Sequence, residues 1–366
     1  MMRDVQAAQE LARPTGKLHP LRASVIIVNY NGGDELWRCL ASAVSAAPTG
    51  CEVIVVDNAS TDASAEAIER DFPHVRLIRS KINLGFGGGN NLGAQSARGK
   101  FLVFLNPDTR VAEGWLAALL APLDADPQIG LVTAKILLAA QPDRINTCGN
   151  TVHLTGLTLC RGMGFPKSAF EKAEEVDAIS GAAFAIRRET FEALGGFDDD
   201  FFLYLEDTDL SWRARLAGWR CWYAPDSVVF HDYTLRISPR KVFYQERNRY
   251  LMLLKCFRWP TLLALLPTLL VAEVLTWGFV LLRDRSNAAN KLRAYAWVFR
   301  NWSSILQKRK VTRTGRKLSD RAILLRTGHR LDFRQVATPP IAKAARLIFE
   351  PLFFLSRGLA LAVVWW

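Results

Sequence analysis

The chain has 366 residues, 50% of them apolar, so a sizeable core is available to one large or two medium domains. Its formal net charge of +12 is unevenly spread: from Arg240 onward there are 24 Lys+Arg against 6 Asp+Glu, a net of +18, which leaves −6 for residues 1–239. The six cysteines (Cys39, Cys51, Cys148, Cys160, Cys221, Cys256) form no C-x-x-C pair and no zinc spacing, which argues against a disulfide framework or zinc module and reads as free thiols facing a reducing compartment.

Residues 1–23 lack the apolar core of a secretory signal and read as a flexible tail, which keeps the bulk of the protein in the cytoplasm. Apolar runs then recur at Ser24 to Asn29, Glu52 to Val56, Val75 to Ile78 and Phe101 to Leu105. Helix-like segments lie between the first three, over Asp34 to Ala46 and Ala63 to Arg70, and a third short helix starts near Asn90. Fully apolar strands at this spacing predict a parallel sheet covered on both faces. Right-handed crossovers would line up the strands' C-terminal ends along one edge, where open α/β sheets bind ligands. Polar residues gather at those ends: Asn29-Tyr30-Asn31, Asp57-Asn58 and Asn106-Pro107-Asp108.

Such a sheet first suggests a dinucleotide enzyme. The stretch Asn83 to Gly93 is Gly-rich, but it follows the third strand and no register gives G-x-G-x-x-G, so the Rossmann dehydrogenase reading loses. Read as a loop, it either admits a sugar or phosphate close to the backbone or simply needs positive φ. Asp57 ends a buried strand, either as a turn or cap residue or as an acceptor for an N–H of a bound base. Asp108 by itself is a turn residue as readily as a metal ligand; its place on the same edge raises the second reading.

A helix returns at Trp115 to Leu123, followed by an apolar strand at Ile129 to Leu138 and a less regular segment at Gln141 to Pro166. Val176 to Arg187 reads as a strand pair or bent strand, and Arg188 to Leu194 as a helix. Next comes the most acidic stretch, Gly195 to Arg220. There Asp198, Asp199 and Asp200 precede an aromatic run, and Glu206, Asp207 and Asp209 open a short helix closed by Gly218. Helix capping accounts for one or two of these acids; a cleft holding a general base accounts for the surplus and for the aromatics. The following run reads as a short strand, a Pro225-Asp226 turn and a second strand ending at His231, a structural residue or a metal ligand beside Asp232.

In order along residues 24–235, VIIVNYNGGDEL, VIVVDNASTD, NLGFGGGNNLG, FLNPDT, SGAAFAIRRETFEALGGFDDDFFLYLEDTDLSWRARLAGWR and VFHDYT resemble the inverting glycosyltransferases of family two, and within them the rhamnosyltransferase-like branch. The resemblance implies the GT-A fold, a Rossmann-like mixed α/β sheet with helices on both faces, over residues 24–239. It implies a nucleotide-sugar donor held by Asn29, Tyr30, Asn31, Asp57, Asn58, Gly85, Phe86, Gly87, Asn90, Asn106 and Asp108. Asp207 matches the family's base, Glu206 and Asp209 fall on the acceptor side, and Asp108 with His231 would hold Mg²⁺ or Mn²⁺. Asn106 replaces the first acid of the family's Asp-X-Asp, which removes a charge near the metal and puts strict metal dependence in doubt; Asn90 stands where many relatives have Arg.

The chemistry suits these residue types. Charge growing on a departing diphosphate calls for a divalent ion, and an attacking acceptor hydroxyl calls for a base on the opposite face of the sugar, with inversion as the outcome. Arg213 either pairs with Asp209 or Asp207 or reaches the diphosphate, the pair being favoured. The implied reaction moves L-rhamnose from dTDP-L-rhamnose to a lipid-linked or polysaccharide glycan acceptor in cell-envelope glycan biosynthesis. A UDP-hexose donor, or a non-catalytic membrane-bound glycan-binding partner with the same fold, are the alternatives.

Residues 240–366 read as a basic and apolar helical region. Their charges flank long apolar segments, which favours an anionic membrane surface over nucleic acid. Thr261 to Leu282 is long enough to span a bilayer. A span would carry the following basic segment outside, against the positive-inside rule, so helices lying in the cytoplasmic leaflet are favoured, with Leu347 to Trp366 as a second anchor. A buried helix pair covering the catalytic domain is the other reading.

Overall fold

A computed structural model describes residues 21–233, 239–283 and 285–366; the expected tail lies, up to residue 20, outside them. Strands β1 (Leu21–Asn29), β2 (Cys51–Asn58), β3 (Arg76–Ser80) and β4 (Gly99–Leu105) alternate with helices α1 (Gly33–Ser45), α2 (Ser64–Asp71) and α3 (Gly85–Ser96). Beyond them follow β5 (Thr109–Val111), α4 (Trp115–Ala125), β6 (Ile129–Leu138), β7 (Gln141–Thr147), β8 (Asn150–Val152), β9 (Thr158–Cys160), β10 (Glu174–Glu175), β11 (Ala183–Arg187), α5 (Arg188–Ala193), α6 (Glu206–Leu216) and β12 (Arg220–His231). The C-terminal third is helical: α7 (Pro239–Cys256), α8 (Trp259–Ala264), α9 (Leu266–Arg283), α10 (Ala288–Arg300), α11 (Trp302–Thr314), α12 (Asp320–Arg326) and α13 (Pro339–Val363).

The main sheet runs β10-β12-β6-β11-β4-β1-β2-β3. β1 is parallel to both β2 and β4, whereas β11 is antiparallel to its neighbours β4 and β6, so the sheet is mixed. Side-chain alternation sorts the two layers. Val25, Ile27, Val55 and Val103 face Leu36, Leu40, Leu119 and Leu123 of α1 and α4. Ile26, Ile54, Leu102 and Phe104 face Ala94 of α3, Phe191 of α5 and Leu210 of α6. Continuous apolar runs in these strands therefore follow from burial on both faces.

Three local expectations need correction. The Gly-rich stretch is helix α3 from Gly85 onward, because its glycines let the helix lie close to β1: a Cβ on Gly93 would stand 2.5 Å from Ile26. Residues 220–231 are one strand, not two strands around a Pro225-Asp226 turn; β12 keeps pairing with β6 and absorbs the extra residues in a bulge between Ala224 and Val228. Gln141 to Pro166 is more ordered than expected and contains β7, β8 and β9.

The stretch Thr261 to Leu282 breaks at Leu265 into α8 and α9. Pro267, with no N–H to donate, fits the first turn of the second helix. Among the described residues no helix is long and apolar enough to cross a membrane. Glu273 is drawn inward, where Arg249 (2.5 Å) and Lys291 (3.2 Å) pair with it and the Tyr250 and Tyr295 hydroxyls donate to it. The C-terminal helices share a core with the acidic stretch: Phe201, Trp212 and Leu216 pack with Leu251, Met252, Phe257 and Ile305.

Candidate active site

The acidic stretch reaches the sheet edge through a strained loop. Phe202, Tyr204 and Leu205 have φ of 58°, 69° and 66°, a left-handed conformation that non-glycine residues adopt only when their surroundings hold them. α7 provides that hold: Asn248 Nδ2 lies 2.9 Å from the Phe201 and Leu203 carbonyls and 2.6 Å from that of Tyr204, while Arg247 donates to Asp200 O and Phe201 O. The loop also presses on α3, since Phe86 N donates to Phe202 O (2.7 Å) and a Cβ on Gly85 would meet that oxygen at 2.2 Å.

Directly after the loop, Asp207 stands partly exposed in the first turn of α6. Its Oδ2 accepts from Gly181 N (2.8 Å) and Asn150 Nδ2 (3.1 Å), and its Oδ1 from Thr208 N (2.6 Å) and Thr208 Oγ1 (3.1 Å). All four donors are neutral. Burial pushes its pKa above the ordinary value, and these hydrogen bonds pull it back in part. A carboxylate so placed is oriented yet still able to take a proton.

Its two neighbours in sequence, both expected on the acceptor side, are buried instead of partly exposed. Glu206 is buried at 6% exposure with Oε2 lacking a partner; burial and the adjacent Asp207 raise its pKa to about 8. Asp209 is completely buried and ion-paired to Arg213 (2.7 Å) and Lys255 (2.8 Å). The expected Arg213–Asp209 pair is therefore present. Lys255 also binds Asp198 (2.5 Å), which takes a further contact from Lys308. Against the upward push of burial, these two lysines hold the Asp198 carboxyl below the usual carboxylate range.

On the sheet edge the expected donor residues divide into exposed and buried sets. Tyr30 is 53% exposed and Asn31 is exposed at φ 55°, its Oδ1 accepting from Thr61 N (2.7 Å). Asp57 is 6% exposed and accepts from Asn29 Nδ2 (3.2 Å). Phe86 is half-buried, edge-on to Phe197 at 5.6 Å. Asn29, Asn58, Gly85, Gly87 and Asn90 are also buried. Asn29 Nδ2 also meets Ser60 and Ser64 while its Oδ1 receives Gly32 N, and Asn58 clamps Asn83, Leu84 and Gly85. Asn90 Nδ2 donates to Phe86 O (3.0 Å), and Gly87 lies against Phe197.

Asp108 and His231 come together, Oδ1 to Nε2 at 3.2 Å, where β5 pairs with β12. Asn146 Oδ1, at 2.8 Å from Nδ1, can only accept, so Nδ1 carries a hydrogen, and in the neutral ring the Nε2 lone pair faces a carboxylate. That arrangement suits a cation shared between them. Two further observations agree. Asn106 Oδ1 and Asp108 Oδ1 are buried acceptors with no hydrogen-bond donor. Glu35 sits nearby with its pKa raised by burial, by Asp232, to which it hydrogen-bonds, and by Asp108. Among the described residues no group of three or more His, Cys, Asp or Glu could hold a metal ion; Asp108 and His231 would supply two side-chain ligands, and a divalent ion held there would need further oxygens.

Sequence reading missed Asn146, Asn150, Gly181, Lys255, Lys308 and Asn248. Only Gly181 carried a local signal, in the SGAAF run; the others act on residues far away in the chain.

Comparison with known proteins agrees with this geometry. The model of Glycosyl transferase family 2 matches residues 24–195. The N-acetylglucosaminyl-diphospho-decaprenol L-rhamnosyltransferase of Mycobacterium tuberculosis is 30% identical over 232 residues, covering 57% of this chain and 75% of that protein. The pre-mycofactocin glycosyltransferase of Mycobacterium tuberculosis is 27% identical over 239 residues, covering 63% of this chain and 47% of that protein. In fold, the chain is similar to GalNAc-T7, solved with UDP, GalNAc and Mn²⁺: TM-score 0.54 at 22% identity, covering 68% of this chain and 53% of that one.

Proposed function

Since the chain belongs to glycosyltransferase family 2, we propose that it transfers L-rhamnose from dTDP-L-rhamnose to a lipid-linked glycan acceptor of the cell envelope, with inversion at the sugar carbon. The observation that carries the catalytic part is Asp207, held by four neutral donors at a partly exposed helix start. The rhamnosyl and lipid-linked parts rest on the 30% identical relative.

In this reading Asp57 accepts an N–H of the base, with Tyr30 and Asn31 beside it. The acceptor hydroxyl oxygen bonds to the sugar's anomeric carbon while its proton passes to the Asp207 carboxylate. The bond from that carbon to the diphosphate oxygen breaks, and the nucleoside diphosphate departs with the electron pair. Asp108 and His231 would hold Mg²⁺ or Mn²⁺, which when bound supplies neutralisation of the diphosphate charge.

Residues 24–239 carry the reaction and residues 240–366 the contact with the cytoplasmic face of the membrane. The net charge of +18 supports this, as do the exposed Leu270 and Val274 of α9 and Leu355 and Leu359 of α13. Turnover across a panel of nucleotide sugars tests the donor: dTDP-L-rhamnose should be the preferred substrate, and a preference for a UDP-hexose would overturn the rhamnose assignment.

A further inference from the structure

Where α8 meets α11, Trp259, Leu306, Arg309, Lys310, Arg313 and Thr314 line a groove of ≈ 480 Å³. Arg309 forms its floor. The residue is 4% exposed, and its guanidinium lies 4.1 Å from the centre of the Trp259 ring. Nη1 donates to the Leu254 and Phe257 carbonyls at the end of α7, whereas among the described residues Nε and Nη2 are buried without an acceptor. Buried guanidinium hydrogens left unmatched are costly, and the positive charge they leave beneath the groove favours an anion within it.

The surroundings lack negative charge. Lys310 and Arg313 are exposed, and among the described residues no carboxylate pairs with either of them or with Arg309. Asp320, the acid acting on Arg309, is bound by Arg316. Burial and repulsion from Arg313 hold the Arg309 pKa below its ordinary value. Apolar surface adjoins the cations: Trp259 stacks on Trp302 at 5.8 Å with both rings exposed, and Leu263, one turn beyond Trp259 on α8, is 71% exposed. Indole pairs next to basic groups suit the boundary between headgroups and hydrocarbon.

We propose that this groove binds the phosphate group of an anionic lipid, with Arg309, Lys310 and Arg313 around the phosphate and the lipid's hydrocarbon against Trp259, Trp302 and Leu263. The site lies apart from the residues assigned to sugar transfer and is read by binding alone, so its failure and that of the rhamnosyl reading are distinguishable.

The full chain is tested on phosphatidylcholine vesicles with and without phosphatidylglycerol. The exposed pair Lys310→Gln/Arg313→Gln should weaken binding to the anionic vesicles on the order of tenfold, while Arg330→Gln/Lys343→Gln, an equal charge change outside the groove, should have a much smaller effect. Equal losses in the two double variants would overturn the groove as a site. Calorimetric titration separates the sources of phosphate. Short-chain phosphatidic acid should bind saturably and lose that binding in the groove variant, with inorganic phosphate far weaker. Equal affinity for inorganic phosphate would overturn the lipid assignment, and no saturable binding of either probe would overturn the proposal.

Discussion

The two flanks of α6 set one carboxylate against another. On the cleft side Asp207 meets only neutral donors and stays partly open; on the side of the C-terminal helices Asp209 is sealed between Arg213 and Lys255. Only Thr208 separates them in sequence, and both were candidates for chemistry. Surroundings decide their use: two cations occupy Asp209 in ion pairs, whereas neutral hydrogen bonds orient Asp207 and leave it able to accept a proton. The basic C-terminal third thus neutralises the back of the acidic stretch and, through Asn248, holds the loop that presents its front.

The strongest challenge to this division is removal of the shared cation. Lys255→Met leaves Asp198 and Asp209 buried with an ammonium missing, and the chain should lose about 3–5 kcal/mol in denaturant unfolding. A loss under about 1 kcal/mol would show that the back flank does not depend on this lysine.

Glu206 sharpens the comparison through pH. Its folded pKa of about 8 lies above the ordinary carboxylate value, so the folded state retains a proton that the unfolded chain has released. Stability is therefore fully present below the unfolded pKa and falls as pH rises from about 4.5 towards 8, by a total on the order of a few kcal/mol. Glu206→Gln should remove that decline in melting temperatures recorded from pH 5 to 9; an unchanged slope would assign the decline to another group.

A smaller effect is expected at Asn248. Asn248→Ala removes its donor from the Leu203 and Tyr204 carbonyls and leaves that of Phe201 to Arg247, which should cost about 1–3 kcal/mol and let the positive-φ loop relax. Turnover should then drop on the order of tenfold with donor affinity little changed, since the loop positions Asp207 rather than the nucleotide. A change confined to donor affinity would contradict that role.

Much of this layout was legible in the sequence. The apolar runs of β1, β2, β4 and β6 are buried on both faces, and continuous apolarity is the pattern such burial requires. The ends of those strands carried Tyr30, Asn31, Asp57 and Asp108, and the topology brought them to one edge. α6 was legible as a helix but not in its facing, because Thr208 to Leu216 are all buried and polar and apolar residues alike point inward. The partners that separate Asp209 from Asp207 are also remote: Lys255 lies in α7, after β12, and local patterns do not reveal such pairings. The start of α3, Gly85 to Gly89, was taken for a loop because its glycines, poor helix formers, are there for close approach to β1 and Phe202.

The most direct test of the account is Asp207→Asn, measured for turnover, donor affinity and melting temperature together. The amide keeps the shape and gives up the base. Turnover should fall by about 10²–10⁴-fold, with donor affinity and melting temperature near those of the parent chain. Turnover at the parent rate, with nucleotide sugar still bound, would contradict the assignment of Asp207 as the group that takes the acceptor's proton.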